Sequence, residues 1–218
     1  SPYAPSLYNA VAETGIEVRG RPFGDWFMYQ VGMLNGSNEG FGDSNKGKDF
    51  YGAIRLDYAR SANFSASLSG FAYLGKSNAT VFDGTRNVDA NWNRYGAAAH
   101  LRYKMLDLHG MYTLDRITHA PTATLSNFDT TASGVTVALD AYVTNRTLLS
   151  LRYDNMDAGG DLTQRTSQSF AGMQLKHYLR SNVAVYARHD LNLRRAEEGN
   201  AAAHNLRHAV FVGIDISY

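Results

Sequence analysis

The sequence predicts an all-β fold made of antiparallel strands, and three observations support this prediction. Apolar and polar residues alternate with a period of two along most of the 218 residues, the spacing expected of strands with one apolar and one polar face. Short and long connections also alternate between these segments. The chain contains 20 Gly, 14 Tyr and 10 Phe but only 4 Pro, a mixture that favours twisted strands over helices.

The alternating pattern defines about eleven strands. The clearest runs from Arg94 to Lys104, where Tyr95, Ala97 and Leu101 alternate with polar or small residues. The predicted strands cover residues 15–23, 26–34, 49–59, 65–75, 94–104, 108–115, 134–143, 148–155, 169–179, 183–194 and 208–218.

The connections between these strands fall into two length classes that follow each other in strict order. Short connections lie near residues 24–25, 61–63, 105–107, 144–146 and 180–182. Long polar connections lie near residues 37–48, 77–93, 116–131, 156–166 and 195–207. Short turns on one side and long loops on the other are typical of bacterial membrane barrels, whose short turns face the periplasm.

The number of strands decides which face should meet water. Eight strands already enclose a space that side chains just fill, so about eleven strands with an apolar interior would leave a gap. A wide barrel with a wet polar interior and an apolar exterior satisfies both faces. The sequence therefore predicts an antiparallel transmembrane β-barrel of the outer-membrane porin type, with about 11–12 strands in this chain.

Composition excludes several other classes of protein. No run approaches the ~18 apolar residues of a membrane-spanning helix. The formal net charge is +1, which gives no reason to expect a nucleic-acid partner. With 0 Cys, the chain can form neither a disulfide framework nor a thiolate metal site. The prediction therefore includes no metal and no cofactor.

The strand count raises a question about the start of the chain. Bacterial single-chain barrels have even strand numbers, whereas eleven is odd. Residues 1–12 could hold a poorly patterned twelfth strand, which Tyr3, Leu7 and Tyr8 favour and two prolines oppose. Alternatively, residues 1–218 form a single barrel domain that is the carboxy-terminal part of a longer porin. We expect the second.

Three stretches resemble a known family. Residues 13–20 (ETGIEVRG), 25–36 (DWFMYQVGMLNG) and 49–56 (DFYGAIRL) are similar, in this order, to strands of the phosphate-selective porin O and P family. The final Ile214–Tyr218 also resembles the end of outer-membrane barrels in general. The resemblance implies about sixteen strands and a homotrimer, and it favours the view that upstream strands are missing.

Charged residues on the polar faces are the candidates for pore-lining groups, because rings of charge set selectivity in channels. Ten basic positions against seven acidic ones predict mild anion preference. The basic positions are Arg19, Arg21, Arg55, Arg94, Arg102, Lys104, Arg152, Lys176, Arg188 and Arg194. The acidic positions are Glu17, Asp57, Asp115, Asp140, Asp154, Asp190 and Asp215.

Aromatic residues near strand ends are the candidates for the membrane interface, where a ring is buried while its polar tip stays wet. The main candidates are Trp26, Tyr29, Tyr58, Tyr103, Tyr153 and Tyr218.

Other motifs carry less weight. Residues 42–48 match the spacing of a phosphate-binding loop, but Asp49 follows where a hydroxyl is needed. His204 and His208 have metal-like spacing without a suitable helix. His100 and His109 are interpreted as isolated lumen or turn residues.

The leading functional hypothesis is a water-filled channel for passive diffusion of small solutes or anions through the bacterial outer membrane. The chain would contact outer-membrane lipid and assemble as a homo-oligomer. A second hypothesis is a structural barrel that sheaths or anchors a protein partner in its lumen, such as an electron-transfer cytochrome. The third is an outer-membrane enzyme with an acid and histidine site at the rim, formed by Asp154, Asp157, His189 and Asp190. We expect no catalysis.

Overall fold

The computed structural model describes residues 15–35, 48–61, 63–80, 87–119, 129–159, 166–194 and 208–216, and these residues form eleven β-strands. The strands are β1 Gly15–Gly20, β2 Phe27–Leu34, β3 Asp49–Ser61, β4 Phe64–Thr80, β5 Asn87–Tyr103, β6 Leu106–His119, β7 Asp129–Thr144, β8 Thr147–Gly159, β9 Thr166–Arg180, β10 Val183–Arg194 and β11 His208–Ile216. The described ranges contain no helix with the length and apolarity needed to span a bilayer.

All eleven strands belong to one sheet, in which each strand pairs with the next along the chain from β1 to β11. Each of these pairings is antiparallel. The predicted all-β antiparallel fold is therefore confirmed. Within the described ranges, β1 and β11 form the two edges of the sheet.

The register sorts the side chains onto two faces, since residues opposite each other on neighbouring strands point the same way. On one face, which we call the apolar face, Tyr95 is opposite Leu114 and Leu101 is opposite Leu108. On the other, which we call the polar face, Arg94 is opposite Asp115. This assignment continues from strand to strand without a change of face from β1 to β11.

The two faces differ in exposure. On the polar face Arg94 and Asp115 are each only 8% exposed. On the apolar face, Ile54 and Leu68 in the middle of the sheet are 53% and 55% exposed. Side chains converge on the concave side of a curved sheet and spread apart on its convex side. The polar face is therefore the concave side, as in a barrel with a polar interior.

Aromatic rings on the polar face cover glycines on neighbouring strands. Tyr51 lies over Gly32, Phe71 lies over Gly96, and each ring belongs to the residue directly opposite its glycine. A Cβ at Gly96 would lie 2.2 Å from the Phe71 ring. Glycine at these positions thus leaves room for a large ring on the crowded concave side.

Four of the five short connections are only two residues long, whereas the β1–β2 connection spans residues 21–26. Lys104 and Met105 join β5 to β6, and Lys104 has a positive φ of 52°. The Lys104 amide donates a hydrogen bond of 2.7 Å to the Asn63 carbonyl, which ties this turn to the turn before β4. The short turns therefore lie together at one end of the sheet.

Strand boundaries at the opposite end were partly wrong in the prediction. The predicted loop 77–93 is mostly strand, because β4 continues to Thr80 and β5 begins at Asn87 in direct pairing with it. Backbone hydrogen bonds extend the ladder past the point where apolar alternation stops, so hydropathy underestimates strand length there. In contrast, β1 ends at Gly20 rather than at residue 23.

Candidate functional site

The polar face is the candidate functional site, because charged side chains line it from β1 to β11. Among the described residues, seven basic and nine acidic side chains occupy strand positions on this face. The basic ones are Arg19, Arg55, Arg94, Arg102, Arg152, Lys176 and Arg188. The acidic ones are Glu17, Asp49, Asp57, Asp107, Asp115, Asp140, Asp154, Asp190 and Asp215.

Three strands carry the same Arg-x-Asp motif, and in each the two side chains form an ion pair. The Nε–Oδ1 distance is 2.8 Å for Arg55–Asp57 on β3. On β10 the same distance is 2.7 Å for Arg188–Asp190. On β8, Arg152 and Asp154 share two hydrogen bonds of 2.7 and 2.9 Å. Residues two apart on a strand share a face, so this motif pairs opposite charges within one strand.

The most buried ion pair joins two strands. Arg94 on β5 donates two hydrogen bonds to Asp115 on β6, from Nε at 2.6 Å and from Nη2 at 2.7 Å. This fork geometry is the strongest arrangement for an arginine and a carboxylate. It fixes the β5–β6 register on the concave side of the sheet.

Polar contacts also link strands at both edges of the described sheet. Near β1, the Tyr51 hydroxyl donates to Glu17, and Gln30 Nε2 donates to the same carboxylate at 2.6 Å. Near β11, Lys176 on β9 forms an ion pair with Asp215. Charge on the polar face is therefore largely neutralised locally.

Two histidines and an aspartate come together on this face. His100 on β5 is directly opposite His109 on β6. His100 Nε2 is hydrogen-bonded to Asp107 Oδ1, and His109 Nδ1 lies 3.7 Å from the same oxygen. The interpretation of these histidines as isolated residues was wrong, because the short turn after β5 folds β6 back so that they become neighbours.

The predicted pore-lining residues fall into three groups. Of the ten basic positions, seven lie on strand positions of the polar face: Arg19, Arg55, Arg94, Arg102, Arg152, Lys176 and Arg188. Arg21 and Lys104 instead lie in exposed turns, and Arg21 pairs with Asp25 at 3.1 Å. Their placement on the polar face was wrong, since the strands end before them. The side chain of Arg194 lies outside the described residues.

Placement of the interface candidates is mixed. Trp26, Tyr58 and Tyr103 are half-exposed and lie at the short-turn end. Tyr29 lies on the apolar face near Gly20, at the same end. Tyr153 is halfway along β8, so its strand-end assignment was wrong. Tyr218 lies outside the described residues.

Sequence reasoning missed two aromatics at the short-turn end. Phe23 stacks on Trp26 with ring centroids 6.1 Å apart. Phe64 meets Tyr58 edge-to-face at 6.1 Å. The period-two pattern marks Phe64 as an apolar-face position, which is the signal that would have found it.

The hypothetical rim site for catalysis is divided between the two faces. Asp154 and Asp190 occupy the polar face, whereas His189 is opposite Val210 on the apolar face. Asp157 is opposite Ser133, also at an apolar-face position. The residues of the phosphate-loop-like stretch up to 47, and His204, lie outside the described residues.

A polar hollow of about 240 Å³ opens on the polar face between β6 and β10. Arg152, Arg188, Asp190 and Gln174 contribute to its lining, together with His109 from the neighbouring histidine cluster. The hollow shows that the concave side has room for water and small solutes between its ion pairs.

This geometry defines the class of outer-membrane β-barrel folds: one antiparallel sheet in chain order, short turns at one end, a polar concave side and an apolar convex side. Neither the models of known protein families nor the curated proteins give a match to this sequence.

Solved structures do match. A porin is similar with a TM-score of 0.62 at 12% identity, covering 94% of this chain and 62% of the porin. OmpT, an outer membrane protein of Vibrio cholerae, is similar with a TM-score of 0.55 at 13% identity, covering 81% of this chain and 53% of OmpT. The chain thus spans less than two thirds of either protein, and the likeness establishes the porin-type fold.

Proposed function

We propose that this chain forms part of the wall of a water-filled channel in the bacterial outer membrane, through which small solutes and ions diffuse passively. The observation that carries the proposal is the unbroken separation of faces from β1 to β11. Each described strand continues the same concave and convex faces, and nine of the eleven carry at least one described charged side chain on the concave side. An apolar convex face suits lipid, and a charged concave face suits water.

The charge arrangement supports weak rather than strong selectivity. Most of the basic side chains are paired with carboxylates in the same strand or the next. Among the described residues, Arg19 and Arg102 are not within ion-pair distance of a carboxylate, although Arg19 is attracted electrostatically by Glu17 on the same strand. The mild anion preference predicted from the sequence would have to come from these two, and the nine described carboxylates of the same face oppose it. A dedicated phosphate ladder, as the resemblance to the phosphate-selective porin O and P family implies, would need more unpaired cations.

Oligomerisation is also part of the proposal. The resemblance to the phosphate-selective porin O and P family supports a homotrimer within the membrane, which we propose, with part of the apolar face meeting a second copy of the chain instead of lipid. Cross-linking followed by electrophoresis without heating would report the number of copies. We also propose that residues 1–218 represent the carboxy-terminal part of a longer porin, and that the protein carries out no catalysis.

Single-channel conductance in a planar lipid bilayer tests the channel proposal. The full chain, folded in detergent, should produce discrete open steps, and a salt gradient should give only a small reversal potential, because most of the basic side chains are paired with carboxylates. A silent bilayer, with folding verified by circular dichroism, would contradict the channel. That result would instead favour a barrel that sheaths a protein partner.

A further inference from the structure

The cluster of His100, Asp107 and His109 presents three metal-ligating groups to one point on the polar face. Their donor atoms all lie within 4.8 Å of one another. The two imidazole rings have centroids 6.1 Å apart and are tilted by 39°. Since the three residues sit on two hydrogen-bonded strands, the sheet itself holds the donors together.

The donor set is selective by its chemistry. Imidazole nitrogen with carboxylate oxygen suits zinc and neighbouring divalent transition metals, whereas magnesium and calcium prefer oxygen ligands alone. Donors around a tetrahedral zinc ion with bonds of about 2.1 Å lie about 3.4 Å apart. The 3.7 Å between His109 Nδ1 and Asp107 Oδ1 is already close to that spacing.

The surroundings leave the site open to an incoming ion. The three side chains are between 29% and 46% exposed, so water reaches them from the concave side. Asp140 on β7 is directly opposite Asp107 and adds negative charge to the site. Arg102 on β5 is opposite Asp107 on the other side and offsets this charge. Three protein ligands leave a fourth position for water or a solute.

We propose that His100, Asp107 and His109 form a binding site for a divalent transition-metal ion of the zinc type in the wall of the channel. The inference rests on the proposed function, which makes this face wet. A bound ion replaces the hydrogen bond between His100 and Asp107 with two coordinate bonds, and the proton of that hydrogen bond moves to His100 Nδ1 or is released to water. It also adds positive charge beside Arg102.

Isothermal titration of Zn²⁺ into the folded full chain in detergent micelles tests the site. One Zn²⁺ should bind per chain, and Mg²⁺ should give no saturable heat. Asp107→Asn and His109→Gln should each weaken Zn²⁺ binding by at least about tenfold. His189→Gln is the matched control: it removes one ring of the His189–His208 pair on the apolar face and should leave the affinity unchanged.

Two results would overturn the site: no saturable Zn²⁺ binding by the unsubstituted chain, or an unchanged affinity in the variants. If Asp107→Asn disturbs folding, His109→Gln alone decides the test, because this substitution leaves the hydrogen bond between His100 and Asp107 in place. The experiments can contradict the channel proposal and the metal-site proposal independently of each other. A conducting chain without Zn²⁺ binding contradicts only the metal site, and a silent chain with Asp107-dependent binding contradicts only the channel.

Discussion

Individual charges on the polar face are governed by their immediate neighbours on the strand or across it. In the Arg-x-Asp motifs the partner is two residues away, as for Arg55 and Asp57. This pairing is readable from sequence, because residues two apart must share a face. The Arg94–Asp115 and His100–His109 pairs could not be predicted from the sequence, because they depend on the register between β5 and β6.

Burial should decide how much each ion pair stabilises the fold. The side chains of Arg94 and Asp115 are 9% and 11% exposed, whereas those of Arg55 and Asp57 are 48% and 30% exposed. Asp115→Asn should lower the free energy of unfolding by roughly 3 kcal/mol, since it removes the charged partner that accepts two hydrogen bonds from the buried Arg94. Asp57→Asn should cost about 1 kcal/mol or less. Urea unfolding in lipid vesicles measures both, and equal losses would contradict the burial argument.

Glycines on the two faces should respond to alanine with opposite signs. A Cβ at Gly96 would meet the Phe71 ring at 2.2 Å, whereas a Cβ at Gly70 meets only the Gly96 carbonyl at 3.7 Å. Gly96→Ala should therefore destabilise the sheet by about 1–3 kcal/mol through overpacking. Gly70→Ala should stabilise it by about 0.4–1 kcal/mol through the unfolded chain. Thermal unfolding of the two variants provides the comparison, and a stabilising Gly96→Ala would show that the ring does not cover Gly96.

At the scale of strands and turns, the sequence predicted each of the eleven strands and the position of each short turn. The period of two is strong wherever one side of a strand is apolar, as it is in β5. The prediction failed where the apolar pattern ends but hydrogen bonding continues, as at Thr80 and Asn87. It also failed at Arg21 and Lys104, which keep the alternation although the strand has already ended.

Whether a cation lies on a strand or in a turn should decide its effect on ion selectivity. Arg102 is the strand residue opposite Asp107, whereas Lys104, two residues later, is in the exposed turn. Arg102→Gln should shift the reversal potential toward cations, because its charge faces the confined concave side. Lys104→Gln should leave it unchanged, because its charge lies in the turn beyond the end of β5, where solvent ions screen it within about 10 Å at 0.1 M salt. Bilayer recordings in a salt gradient would contradict this if the two variants shifted alike.

At the scale of the whole molecule, hydropathy and connection lengths together predicted the outer-membrane barrel architecture. The separation of faces decided it, because only a wet interior suits so many strands with a polar concave side. Electrostatics was harder to predict. The sequence count of ten basic against seven acidic positions omitted Asp49 and Asp107 and included two turn residues. The described polar face is instead slightly acidic, and the three-residue histidine cluster became visible only once the strands were in register.

Labelling of single cysteines on β5 tests the assignment of faces most directly. The chain has 0 Cys, and Ala97, Ala98 and Ala99 are three consecutive alanines on one strand. Ala98 belongs to the polar face, and its two neighbours belong to the apolar face. Each would be replaced by cysteine and treated in lipid vesicles with a charged, membrane-impermeant thiol reagent. We predict that Ala98→Cys reacts while Ala97→Cys and Ala99→Cys stay protected by lipid. Reaction at positions 97 and 99 with protection at 98 would contradict a water-filled interior.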